Sequence, residues 1–449
     1  MASVANFHFL DSILDRFHQD ASALPDSRRG SNTRYAVSDA AACALATFFF
    51  QSPSFLDFQR RMLEASARSN CHSLFGVGDI PCSNHIRNLL DGPDSSLLSD
   101  LFPLCLDTLR DHGALDPFLR LDGRLLVALD GIQIHCSDSI HCEQCSVRHV
   151  GRHKTPQYFH SMLSATVVAD GHNRVIPLMP EFVQPQHDPA AHQPDLPEQQ
   201  RKQDCECNAA KRWLDAHLPP LLPCRPVLLG DDLYCCQPIC QRVLDRGADF
   251  LFVCKPNSHK TLYKQLPDRR IWSTGWIRTR NRKRHIEERR IRWRNNVPVR
   301  AGQHALRGNW LELEIRRDGE RTYRNAFFTS LKLTAGNVAG IARAGRARWK
   351  IENEAFNCLA RHGYNLKRNF GHGKHGLANL LATLNLFAFT LHSVLDCLSD
   401  LWRQCRDKAG TRRNFFEQLR FLAQRVFFPD WTALLETMLG RRQLLAVPT

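Results

Sequence analysis

The rhythm of hydrophobic and polar positions changes three times along the chain. Up to about residue 115 it is helical. The stretch "SDAAACALATFFF" (38–50) is a strong helix former. "IPCSNHIRNLLDG" (80–92) puts Ile86, Leu89 and Leu90 on one face, between a Pro-x-Ser start and a Gly stop. That short helix is either a recognition helix presenting Asn84, His85, Arg87 and Asn88, or an ordinary surface helix of a small bundle. From about 120 short apolar runs take over. "RLLVALDGIQIH" (124–135), "YFHSMLSATVVAD" (158–170) and "RVIPLMPEFV" (174–183) predict three consecutive strands. A helix "CNAAKRWLDAHL" (207–218), a strand "PVLLGDD" (226–232), a helix "QPICQRVLDRG" (237–247) and a strand "ADFLFVCK" (248–255) follow. Three strands, then helix, strand, helix, strand, predict a mixed α/β sheet. Between about 263 and 330 the chain is basic and β-rich, and helix returns over 337–363.

The expected organisation is therefore a helical, DNA-binding N-terminal domain (1–115), an α/β core in two parts (120–262 and 331–400), a basic β insertion between them (263–330), and a helical tail (401–449). Residues 184–203 read as a Pro- and Gln-rich surface loop. The apolar run 377–395 is interrupted by Asn379, Asn385 and His392, which makes it a core helix and not a membrane span.

Charge narrows the partner. The formal net charge is +15 with a pI near 9.3, which points to a polyanion, nucleic acid first. Residues 278–300 hold nine Arg and one Lys against two Glu, a net of +8. A charge run is usually a solvated face. Here Trp272, Trp276 and Trp293 interleave with it and Trp310 follows, so guanidinium groups for phosphates sit beside indoles for unpaired bases. Arg282, Lys283, Arg284 and Trp293 are the candidate DNA contacts.

Seventeen cysteines, an odd number scattered along the chain, do not make a disulfide framework, and the N-terminal stretch lacks the pattern of a secretory signal. Reduced thiols and a cytoplasmic, nucleoid-associated protein are expected. "HCEQC" (141–145) carries a C-x₂-C pair, Cys142 and Cys145, flanked by His141 and His149. "DCEC" (204–207) is a second cluster. Such spacing suits a structural Zn²⁺, and a hairpin with free thiols is the alternative.

The chemistry is carried by acids. Asp130 ends the first strand of the α/β region, in "LVALDG", and Asp231 ends the strand in "VLLGDD". Neighbouring strands of one sheet bring such tips together. Two close carboxylates repel unless a divalent cation joins them, and Mg²⁺ (or Mn²⁺) prefers hard oxygen ligands of this kind. A third acid, Glu352 in "RARWKIENEAFN", lies four residues after Arg348 and shares its helix face. Two strand-end aspartates and a helical glutamate meet the needs of two-metal phosphoryl transfer.

With these stretches in place, the sequence resembles the DDE transposases of bacterial insertion sequences, in the branch with a β-strand insertion between the second and third acids. The resemblance spans about residues 35–395 and is carried by "ALDGIQIHCS", "IHCEQCSVRH", "KQDCECNAAKRWL", "LLGDDLY" and "RWKIENEAFN". It implies an RNase H-like catalytic core and an Asp130–Asp231–Glu352 triad holding Mg²⁺. Asp231 is preferred to Asp232 because the family's second motif reads Asp-x-x-Tyr, which matches Asp231 with Tyr234. Arg348 matches the family's arginine four residues before the glutamate. Two positions depart: Gly345 stands where the family has tyrosine and Leu359 where it has lysine, which shifts terminal-phosphate contacts to Arg361 or Lys367. The resemblance implies a transposase that binds the double-stranded inverted-repeat ends of its element, cuts them and joins them to target DNA, with a homodimer in the DNA complex. The alternatives are a nuclease of the same core without strand transfer and a non-catalytic, zinc-containing DNA-binding regulator.

Overall fold

A computed structural model of the chain describes residues 7–28, 33–62, 64–184, 204–266, 271–280, 286–368 and 370–442. Most of the loop predicted over 184–203 thus lies outside the described residues. The chain forms a mixed α/β structure around one 13-stranded sheet.

Three short or long strands open it: β1 (Leu119–Arg120), β2 (Arg124–Ser137) and β3 (Ser146–Val150). β4 (Thr155–Val168) returns antiparallel to β2, and β5 (Ile176–Pro177) and β6 (Glu181–Phe182) both pair with β4. The single strand predicted over 174–183 is therefore two short ones. Pro177 and Pro180 lack the N–H a continuous ladder needs. β7 (Val227–Gly230) runs parallel to β2, and β8 (Asp249–Val253) runs parallel to β7. Leu125 to Leu129 on β2 and all of β7 are buried, as expected of central strands covered on both faces.

β9 (Trp272–Ser273), β10 (Ile277–Arg280), β11 (Ile286–Pro298), β12 (Arg307–Arg317) and β13 (Glu320–Thr329) continue the same sheet, because β13 docks antiparallel on β8. The order along the sheet is β10-β11-β12-β13-β8-β7-β2-β4-β3. The basic strands and the strands bearing Asp130 and Asp231 thus share one hydrogen-bonded ladder.

Among the described residues six α-helices precede the sheet: α1 (His8–Ser22), α2 (Val37–Phe49), α3 (Phe55–Met62), α4 (Ala65–Phe75), α5 (Ser83–Leu89) and α6 (Leu101–Asp111). Within it come α7 (Glu206–Ala216), α8 (Gln237–Asp245) and α9 (Lys260–Lys264). After it come α10 (Val338–Arg346), α11 (Asn357–Arg361), α12 (Leu377–Leu398), α13 (Asp400–Ala409), α14 (Arg412–Arg425) and α15 (Trp431–Leu439). α12 is long and apolar enough to cross a membrane by length and composition alone, but 94% of its apolar window is buried inside the protein. It is the core helix of the fold.

The N-terminal helices and the tail do not stand apart as separate units. Asn70 on α4 donates to the carbonyls of Ala423 (2.7 Å) and Val426 (2.6 Å). Arg420 on α14 donates to the carbonyls of Phe50 and Gln51, and the Phe49 ring packs against Trp402 and Trp431. Each large side chain so buried contributes about 1.5–3 kcal/mol, so the two ends of the chain stabilise each other. In α5, Ile86 and Leu89 face the core as predicted. Arg87, placed outward by the sequence pattern, is instead half-buried and donates to the Phe370 carbonyl at 2.7 Å.

Candidate functional site

The parallel pairing of β2 and β7 sets the first two acids side by side. Val127 is level with Leu228 and Ala128 with Leu229, so continuing that register by two residues brings Asp130 level with Asp231. Asp130 Oδ1 accepts from the Gly131 amide at 3.0 Å, and Asp231 Oδ1 accepts from the Leu233 amide at 2.8 Å. The second bond is a local turn in which the aspartate caps the backbone as it leaves the strand.

Arg348 joins the third acid to the first. One guanidinium nitrogen donates to Asp130 Oδ2 at 3.1 Å and the other to Glu352 Oε1 at 2.6 Å. The shared helix face predicted from their spacing holds, but the helix predicted over 337–363 does not run unbroken. α10 ends at Arg346, Ala347–Trp349 form a 3₁₀ turn, and Ile351–Phe356 form a π-helical turn before α11. Widened turns of this kind recur at functional sites. Glu352 sits in the π turn with its side chain half exposed, whereas Asp130 and Arg348 are largely enclosed. Among the described residues the three carboxylates do not all close to within 4.8 Å of one another, and Arg348 occupies the space between two of them.

A fourth acid, not singled out from the sequence, completes the cluster. Glu206 begins α7 and rests directly over Gly131, where a Cβ would meet its carboxylate. The buried Tyr234 hydroxyl donates to Glu206 Oε1. The signal was present in "KQDCECNAAKRWL", but Glu206 sits between two cysteines that drew the motif toward metal thiolates. Burial, opposed by Arg348 and reinforced by Glu206, Glu352 and Asp231, pushes the Asp130 pKa up to about 6. Burial likewise raises Glu206, partly offset by the Tyr234 hydrogen bond and reinforced by Asp231. Burial works against the Arg348 charge, but Glu352, Asp130 and Asp231 outweigh it and its pKa is raised. The site holds four acids around one arginine.

Asp232 points elsewhere. It accepts from the Lys255 amide at 2.6 Å and pairs with His259 at 3.2 Å, tying the end of β7 to the loop after β8. The two departures from the family pattern have physical reasons. A side chain at Gly345 would strike the Phe327 ring at 2.8 Å, and Leu359 is fully buried. Arg361 and Lys367 are exposed.

The basic strands differ from expectation. Arg282, Lys283 and Arg284 lie outside the described residues. Arginines on β11 are matched by acids: across the ladder Arg290 pairs with Glu314 at 2.9 Å and Arg292 with Glu312, and along the strand Arg289 pairs with Glu287 at 2.6 Å. Glu312 and Glu314 are two apart on β12, share a face, and receive Arg324 and Arg316 as well. Part of the charge read from the run is therefore internal to the sheet.

The tryptophans sort by burial. Trp293 and Trp310 are buried at 6% and 2% exposure, so the expected stacking role of Trp293 is corrected: its ring faces the protein. Trp276 is held between Arg290 and Arg316, whose guanidinium carbons lie 4.6 and 4.5 Å from its ring centre. Trp272, 67% exposed on the short β9, presents the open indole.

Cys142 and Cys145 do come together with imidazoles, though not with the flanking ones. His141 stacks on Tyr158, and His149 is exposed on β3. The partners are His160 on β4 and His372 from the loop before α12, a group able to hold a structural metal. "DCEC" contributes nothing to it. Asp204 accepts from Arg212 and from the Gln184 amide, and Glu206 joins the acids. The stretch "GHGKHG" (371–376) that carries His372 is anchored: Asp91 accepts from the amides of Lys374, His375 and Leu377.

Comparison with protein-family models finds none that matches this chain, and comparison with curated proteins finds no match.

Proposed function

We propose that the protein is a DNA transposase that cuts and joins DNA ends through Asp130, Asp231 and Glu352. The single observation that carries this is the acid cluster itself: Asp130, which lies midway along β2 and not at its end as expected, stands level with Asp231 just past the end of the adjacent parallel β7, with Arg348 linking Asp130 to Glu352. The strand arrangement supports the reading. β5/β6-β4-β2-β7-β8 is an antiparallel meander followed by two parallel strands, the order expected of an RNase H-like core, with β9–β13 as the expected insertion.

The donor set is all carboxylate oxygen, and burial, with Glu206, Glu352 and Asp231 adding to it, raises the Asp130 pKa more than Arg348 lowers it. Asp130, Asp231 and Glu352 therefore fit Mg²⁺ or Mn²⁺, which when bound would activate the attacking hydroxyl and stabilise the leaving oxygen. Arg348 supplies the counter-charge, holding Glu352 by one arm and Asp130 by the other. Glu206 and the Tyr234 hydroxyl brace Gly131, and with it the middle of β2. Arg361 and Lys367, exposed beyond the π turn, would hold backbone phosphates. Trp272 would stack on a base displaced from the duplex. The partners of this reading are double-stranded element ends and target DNA, with two copies of the chain acting on two ends, in a nucleoid-associated protein.

The test is cleavage of DNA carrying the ends of the chain's own element. Asp130→Asn, Asp231→Asn and Glu352→Gln each remove a charged ligand with little change of volume. Each is expected to abolish Mg²⁺-dependent cutting with end binding retained. Retained cutting in any of the three removes that residue from the site. Joined products distinguish a transposase from a nuclease of the same core.

A further inference from the structure

Away from the acids, at the far end of β2, four side chains from three stretches converge. Cys142 and Cys145 lie in the turn between β2 and β3, His160 on β4, and His372 more than two hundred residues later. Their ligand atoms all lie within 4.8 Å of one another. Cys145, His160 and His372 are buried.

The distances within the group are specific. Cys142 Sγ and Cys145 Sγ are 4.0 Å apart, Cys142 Sγ is 3.3 Å from His160 Nε2, and Cys145 Sγ is 3.5 Å from His372 Nε2. A tetrahedral zinc with Zn–S of about 2.3 Å and Zn–N of about 2.05 Å has an S–S edge of about 3.8 Å and S–N edges of about 3.6 Å. All three measured edges agree with those values to within a few tenths of an ångström. Each imidazole turns Nε2 toward the thiols. Packing alone gives no reason for four soft donors to aim at one point.

We propose that Cys142, Cys145, His160 and His372 bind one Zn²⁺ as a closed structural site. Two thiolates and two imidazoles favour zinc over the hard cation suited to the carboxylates, and four protein ligands leave no open position for chemistry. The ion fastens the β2–β3 turn, most of whose residues are exposed, to the loop that leads into α12. It thereby joins one edge of the sheet to the helical body. His135, whose ring lies 4.2 Å from that of His372, covers one side. The inference is independent of the transposase reading, since it concerns metal content and not cleavage.

The experiment uses the full chain, without a histidine tag, expressed in zinc-replete medium and measured by elemental mass spectrometry. About one zinc per chain is expected. Cys142→Ser, Cys145→Ser and His372→Gln should each lower that content at least tenfold, while Cys136→Ser, an exposed thiol beside the group, should keep it. Wild-type protein without zinc overturns the proposal, as does a loss in Cys136→Ser equal to that in Cys142→Ser. If the ligand variants fail to fold, cobalt exchanged into wild-type protein decides. The absorption of a tetrahedral ion with thiolate charge transfer is expected, and its absence refutes the site. Hydrogen exchange supplies a structural readout: a chelator should loosen amides in 139–150 and 366–376 and leave those of β7 unchanged. Equal protection with and without chelator also overturns it.

Discussion

Neutralising Asp130 should stabilise the metal-free protein. Its carboxyl is enclosed beside three other acids with one arginine for relief, which lifts its pKa from 3.8 to about 6. At 1.36 kcal/mol per pH unit, keeping it ionised above pH 6 costs the fold about 3 kcal/mol. The sign follows from linkage. A carboxyl with a raised folded pKa contributes most favourably below its unfolded pKa of 3.8, and that contribution is lost as pH rises toward 6. Asp130→Asn should therefore exceed wild type by up to about 3 kcal/mol at pH 7.5. The gap should shrink as pH falls through 6 and close near pH 4. Urea unfolding of both proteins in chelator, across that range, measures it. Mg²⁺ should then raise wild-type stability by binding the folded state and leave Asp130→Asn unmoved. Equal stabilities at every pH, or a variant weaker than wild type above pH 6, would refute the electrostatic account of the site.

Three further predictions follow from the same geometry. Glu206→Gln removes one acid from the cluster and should lower the pH midpoint of Asp130-dependent stability while slowing metal-dependent cleavage by roughly tenfold; an unchanged pH profile would show that Glu206 does not act on Asp130. Trp272→Ala should slow a step that needs a displaced base by roughly tenfold to a hundredfold and leave first-strand nicking and melting temperature intact, whereas Trp293→Ala should lower stability and all activities together. Replacing Arg282, Lys283 and Arg284 with Ala should reduce the salt slope of log K for duplex DNA by up to roughly 0.9 per lost contact, and an unchanged slope would place the three in solvent.

What the sequence disclosed was whatever its local pattern controls. The central strands were visible because strands buried on both faces read as unbroken apolar runs, and Asp130 and Asp231 were visible because each ends such a run. α12 was legible as a core helix because its polar interruptions suit a protein interior. Glu206, His160 and His372 were not legible as partners of the acids and thiols, since Glu206 and His372 are brought in by packing between distant segments and His160 by the register of the β3–β4 hairpin. The fate of the arginines was hidden for the same reason: Glu312 and Glu314 lie outside the basic run and meet it only through β-strand register. Likewise Trp272 and Trp293 look alike in sequence and stand opposite each other across the β9–β11 pair, but the long β11 is covered there and the two-residue β9 is not.

The interlocking of both chain ends has a consequence for birth on the ribosome. α2 and α4 present their apolar faces to α12, α14 and α15, which are translated about 350 residues later. At 5–20 residues per second that interval is roughly 18–70 s, during which the first helices have no permanent partner. Phe49, Phe50 and Phe75, fully covered in the finished protein, stay uncovered for that time unless a chaperone shields them. A chain that stops short of residue 400 would leave them so for good. Yield of intact protein should therefore depend on chaperone supply and translation speed, even where the finished molecule is stable.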